Sequence, residues 1–89
     1  MQDAKLAVPM VHSNGTGKEG LVDQVMEAID AARILIEALA KMAPHGRDYC
    51  LIKGDVLSVA RSQHAARVDK VRSVSVELQT LAIEIDKQG

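Results

Sequence analysis

The sequence predicts an all-α protein: an antiparallel helical hairpin with an N-terminal arm, self-associating into a helical bundle. Three observations lead there. Two long stretches place apolar residues at alternating spacings of three and four, the period of a packed helical seam. A segment with Pro44, Gly46 and Gly54 separates them. The chain also has no Trp, no Phe and one Tyr, so any core is built from Ala, Val, Leu, Ile and Met. At 89 residues the chain is one domain at most.

Residues 1–15 read as an arm. Pro9 and the absence of a helical period argue against a helix there, while Leu6, Val8, Met10 and Val11 are available to dock. A first helix is predicted over residues 16–43. Thr16-x-x-Glu19 has the spacing of a capping box, in which hydroxyl and carboxylate exchange hydrogen bonds with each other's backbone N–H. The seam runs Val22, Val25, Ile29, Ala32, Ile36, Leu39, Ala43, and Leu21, Ala28, Leu35 and Met42 widen it on one side. Asp23, Glu27, Asp30, Glu37 and Lys41 take the other face, where Ile34 stands out as apolar. Pro44 ends the helix, because it lacks an N–H and disfavours helical geometry in the residue before it.

The connection covers residues 44–54. Gly46 suits a left-handed turn. Tyr49-Cys50-Leu51-Ile52 is short and apolar, and is expected to fold over the end of the hairpin with the Cys50 thiol buried. A second helix is predicted over 55–87, with Asp55 as N-cap. Its seam reads Ala60, His64, Arg67, Val71, Val74, Leu78, Leu81, Ile85, so His64 and Arg67 break the apolar pattern. Such breaks tend to mark functional or specificity sites. Two helices alone enclose little interior, and stripes this wide imply a homo-oligomer, a dimeric four-helix bundle at the simplest.

Composition excludes several functions. A net charge of −1 argues against a general nucleic-acid binder. No apolar run approaches the roughly 20 residues of a membrane span. One cysteine, Cys50, excludes an internal disulfide. Because the first eleven residues do not resemble a secretory signal, a cytoplasmic location is expected. The three histidines and Cys50 lack metal-ligand spacing, and no carboxylate pair is set up for acid–base work. No cofactor and no enzyme activity are expected. Charge is nonetheless segregated. Residues 19–42 hold five acidic and two basic groups, whereas residues 45–72 hold six basic and three acidic ones.

Three clusters are candidates for binding. Asn14-Gly15-Thr16-Gly17-Lys18 is a glycine-rich turn at a helix N-terminus, where free N–H groups, the helix dipole and Lys18 favour an anion. It is not a P-loop, because His12 and Glu19 stand where that pattern needs Gly and Ser or Thr. The bland alternative is an ordinary helix start. His45, Arg47 and Tyr49 offer a planar fork for phosphate or carboxylate and a ring on which a base can stack. Alternatively, Arg47 pairs with Asp48 and Tyr49 covers the core. His64 and Arg67 suggest a basic pocket between subunits, against a packed His64 and a snorkelling Arg67 paired with helix one.

Asn14-Gly15-Thr16, Ala43-Pro44-His45-Gly46-Arg47-Asp48-Tyr49 and Gln63-His64-Ala65-Ala66-Arg67, in that order, resemble a group of short proteins encoded by tailed phages and prophages. Those proteins share an N-G-T segment and an A-P-x-G-R-D-Y-Y loop. The resemblance covers most of the chain from His12 onward and implies a phage origin, hence the cytoplasm of a bacterial host. Cys50 departs from the pattern, which has a second Tyr there. A looser, architectural similarity is to the compact helical oligomers with which phages sequester cyclic nucleotides of bacterial immune signalling. The resulting expectation is a non-enzymatic oligomer binding a cyclic or other signalling nucleotide. The competing expectation is a protein-interaction module, a phage adaptor or an inhibitor of a host protein, using Ile34 and the arm.

Overall fold

The computed structural model describes residues 6–12 and 15–88. It is an all-α hairpin, with no strand among the described residues. Helix α1 spans Lys18–Lys41, α2 is a single turn at Gly46–Tyr49, and α3 spans Val56–Asp86. Helices α1 and α3 pack against each other along their length, and α2 touches the start of α3.

The α1 seam has the predicted phase. Val22, Val25, Ile29, Ala32 and Ile36 are half-buried and Leu39 is buried, whereas the predicted last member, Ala43, is exposed beyond the helix end. The α3 seam differs from expectation. From His64 onward it runs through Val68, Val71, Ser75, Leu78, Ala82 and Ile85, while Arg67 and Val74 are exposed. The reason is phase: stepping four residues from His64, then three, selects Val68 and Ser75 and turns Arg67 and Val74 onto the flank. The side chain of Ser75 is small enough to be accepted there.

One helix start departs from the predicted cap, and the other keeps the predicted N-cap residue, Asp55, without its side-chain bond. Gly17, not Thr16, is the N-cap of α1, and it makes no side-chain cap bond. With the helix starting two residues later, Glu19 falls one position short of a capping box. The first turn is instead closed by the Leu21 N–H donating to the Gly17 carbonyl at 2.9 Å. Asp55 does precede α3, but its carboxylate makes no cap bond.

The connection contains an unpredicted helical turn. The His45 Nδ1 accepts from the Arg47 N–H at 3.2 Å and so caps α2. Gly46 is therefore helical, and Gly54, at φ 87°, is the left-handed residue. The segment after α2 does not cover the hairpin: Leu51 is 95% exposed. Cys50 is exposed rather than buried, its thiol lying 3.4 Å from the Arg47 carbonyl.

The arm folds back onto the end of α3. The Val11 N–H donates to Gln88 Oε1 at 2.9 Å, and Gln88 Nε2 donates to the Pro9 carbonyl at 2.8 Å. Nearby, Lys18 Nζ donates to the carbonyls of Gln88 and Asp86 at 3.1 and 3.5 Å. Together these bonds tie the arm and the start of α1 to the end of α3. Among the described residues only Leu39, Ala82 and Ile85 are buried apolar side chains. The radius of gyration is 18.7 Å, against about 12 Å for a compact domain of this length.

Gly54→Ala is expected to lower stability by about 1–2 kcal/mol, the cost of a left-handed conformation with a Cβ. Gly46→Ala, whose added methyl would meet only Leu57 Cδ2 at 3.8 Å, is expected to be tolerated. Thermal melts of the two variants check this, and equal melting temperatures would contradict it.

Candidate functional site

The three predicted clusters do not converge within one chain. Gly15, Thr16 and Lys18 lie at the start of α1, and His45, Arg47 and Tyr49 lie beyond its end. The 24 residues of α1 separate them by about 36 Å at 1.5 Å per residue. His64 and Arg67 occupy the first half of α3. Asn14 lies outside the described residues.

At the start of α1, Gly15 and Thr16 are exposed. The His12 ring packs closely over Gly15, where an added Cβ would come within 2.7 Å of Nε2. Lys18, cast as a phosphate ligand, is turned onto the C-terminal carbonyls of α3. An ammonium there is held by the negative end of the α3 dipole. Beside it opens a cavity of about 300 Å³ lined by Lys18, Glu19, Val22, Asp23 and Asp86. Three carboxylates against one engaged ammonium disfavour an anion. The glycine-rich turn thus lacks the electrostatics that the local sequence implied.

In the connection, His45 spends its Nδ1 on the α2 cap, leaving only its other nitrogen for a ligand. Arg47 is exposed and forms no ion pair among the described residues, so the expected pairing with Asp48 does not occur. Tyr49 is half-buried against the hairpin. This cluster keeps a free guanidinium and a partly accessible ring.

In α3, His64 and Arg67 part company. His64 is in the seam, with Nδ1 buried and lacking a hydrogen-bond partner. Arg67 is exposed on the flank and pairs with no acid of α1. The ion pairs among the described residues lie elsewhere: Arg33 with Asp30 and Glu37 at 2.8 and 2.6 Å, and Lys87 with Glu84 at 2.8 Å. The hydrogen bonds that Arg33 donates to Asp30 and Glu37 raise its pKa above the ordinary value, so it stays charged. Among the described residues Arg47, Lys53, Arg61, Arg67, Lys70 and Arg72 have no ion-pair partner, which leaves the connection and the first half of α3 with an excess of basic over acidic groups.

Gln88 went unnoticed in the sequence. It holds the arm from 77 and 79 residues away, and no local pattern signals a contact of that range. Among the described residues no group of three or more His, Cys, Asp or Glu is placed to hold a metal ion, and no helix is long and apolar enough to cross a membrane. Comparison with known proteins gave no match: no protein family, no curated relative and no solved structure.

His64 illustrates the cost of a polar group in a narrow seam. A buried nitrogen without a partner costs about 1–3 kcal/mol. His64→Leu is expected to raise the melting temperature. A fall on thermal denaturation would mean that the imidazole holds a partner the hairpin needs.

Proposed function

We propose that the chain is a non-enzymatic, self-associating protein-interaction module of phage type, acting in the bacterial cytoplasm as an adaptor or an inhibitor of a host protein. One observation carries this reading: among the described residues twelve large hydrophobic residues are exposed while only three apolar residues are buried. Single exposed apolar residues are ordinary. Here, however, the exposed apolar side chains on both helices outnumber those inside, as expected of surfaces that other chains cover. Ile34, 54% exposed between Glu27 and Lys41 on its helical line, is the side chain that a hairpin pair leaves for a heterologous partner. Met10 on the docked arm is a second. The loop's resemblance to phage and prophage proteins supports the origin.

A second reading is favoured by the unpaired basic surface. In it the oligomer sequesters an anionic, nucleotide-like signal, with Arg47 and Arg67 on phosphates and Tyr49 under a base. Lys18 and the glycine-rich turn contribute little to that site, since the ammonium is engaged and carboxylates line the adjacent cavity.

The two readings separate experimentally. Cross-linked capture from phage-infected host cells is expected to recover a defined protein with wild type and with Arg67→Ala, and to lose it with Ile34→Ala. Native mass spectrometry with cyclic and linear nucleotides is expected to show no retained ligand. A nucleotide retained at fixed stoichiometry, and lost on Arg47→Ala at constant salt, would replace the first reading with the second.

A further inference from the structure

Each long helix carries a second line of residues beside the seam, its members seven apart. On α1 the line is Leu21, Ala28, Leu35, Met42, and on α3 it is Ala60, Arg67, Val74, Leu81. Six of the eight members immediately precede a seam position of the same heptad class on their own helix: Val22, Ile29 and Ile36 on α1, and Val68, Ser75 and Ala82 on α3. In an antiparallel pair, positions of that class on the two helices fall on the same side of the seam. The two lines therefore join into one face of the hairpin. Leu35, Met42 and Val74 on it are 48%, 59% and 53% exposed, while Leu21, Ala60 and Leu81 are half-buried.

The opposite side is different. It carries Met26, Arg33 and Ala40 from α1 and Ala65, Arg72, Gln79 and Asp86 from α3. The remaining exposed apolar residues of the helices do not line up. Ile34 shares its line with Glu27 and Lys41, and Val76 and Ile83 share theirs with Asp69. Only one face is apolar along both helices, with Arg67 as its single charged member. The methylenes of Arg67 can lie on that face while its head reaches the rim.

The surface area fits a partner of the same kind. The chain exposes 7002 Å², whereas a folded monomer of its mass exposes about 5,100 Å². The excess is about 1,900 Å². The whole excess compares with the roughly 1,000 Å² or more that each subunit buries in an obligate homodimer. Like charges do not oppose the arrangement: the acids of α1, Glu19, Asp23, Glu27, Asp30 and Glu37, all stand off this line and off the line beside it that holds Ala31 and Ala38. Ala31 and Ala38, one step outside the α1 line, let backbones approach closely.

We propose that this face is the interface of a homodimer, in which a second copy lays the same face on it and Leu35, Met42 and Val74 become core residues of a four-helix bundle. The proposal rests on the reading of the chain as a self-associating module and adds which surface does it. Sedimentation equilibrium of the full chain is expected to give twice the 9.6 kDa chain mass. Leu35→Lys or Val74→Lys should weaken dimerisation at least tenfold, and Ile34→Lys or Val76→Lys should leave it unchanged.

Because the lysine variants on this face could fail to fold, a second measurement keeps the test decisive. In a Cys50→Ser background, the thiol of Leu35→Cys should resist alkylation at dimer concentrations and react on dilution, while that of Ile34→Cys should react at both. A dimer whose Leu35→Cys thiol stays reactive would overturn this interface and leave self-association standing. A monomer at every concentration would overturn both.

Discussion

The seam between α1 and α3 is one layer of aliphatic side chains wide, and the rest of the molecule is arranged around that limit. Alternating steps of three and four residues keep a narrow stripe facing its partner over many turns. Small and β-branched residues dominate it, which allows close packing but encloses little volume. Among the described residues only Leu39, Ala82 and Ile85 are buried apolar side chains, and only Ile85, 1% exposed, is completely so. A hairpin with so thin an interior needs help at its ends. At one end the help comes from Lys18 on the α3 carbonyls and from Gln88 on the arm. At the other it is local: the His45 cap of α2 and the left-handed turn at Gly54.

Electrostatics follow from the same arrangement. The close ion pairs are between neighbours on one helix, Arg33 with Asp30 and Glu37 and Lys87 with Glu84, and all are solvent-exposed. Such pairs contribute a few tenths of a kcal/mol each and do not hold the hairpin together. Their consequence is distributional. They offset one charge in the middle of α1 and one at the end of α3, and leave the basic groups of the connection and of the first half of α3 without close partners among the described residues. At the arm end, Glu19, Asp23 and Asp86 line the cavity beside Lys18 and outnumber its ammonium three to one. Among the described residues the hairpin is therefore more acidic at the arm end and more basic toward the connection.

The candidate clusters at the start of α1 and in the connection are kept apart by the length of α1. The flank carrying Leu35, Met42 and Val74 is apolar along both helices, whereas Ile34 stands alone between Glu27 and Lys41, so the two surfaces differ in composition.

The sequence by itself determined the fold class, the hairpin and the phase of the first seam, because a heptad pattern over long stretches specifies both a helix and the face it buries. It also made the exposure of Ile34 legible. It did not determine where the helices start, since Thr16 and Glu19 match a capping box that a start at Lys18 leaves unused. Nor did it place Arg67. Histidine at position 64 leaves two ways of continuing the stripe, and only packing against α1 chooses Val68 over Arg67. The engagement of Lys18 and the docking of the arm on Gln88 were decided by tertiary structure alone. Both bring together groups separated by nearly the whole chain, and no local pattern records that two ends will meet.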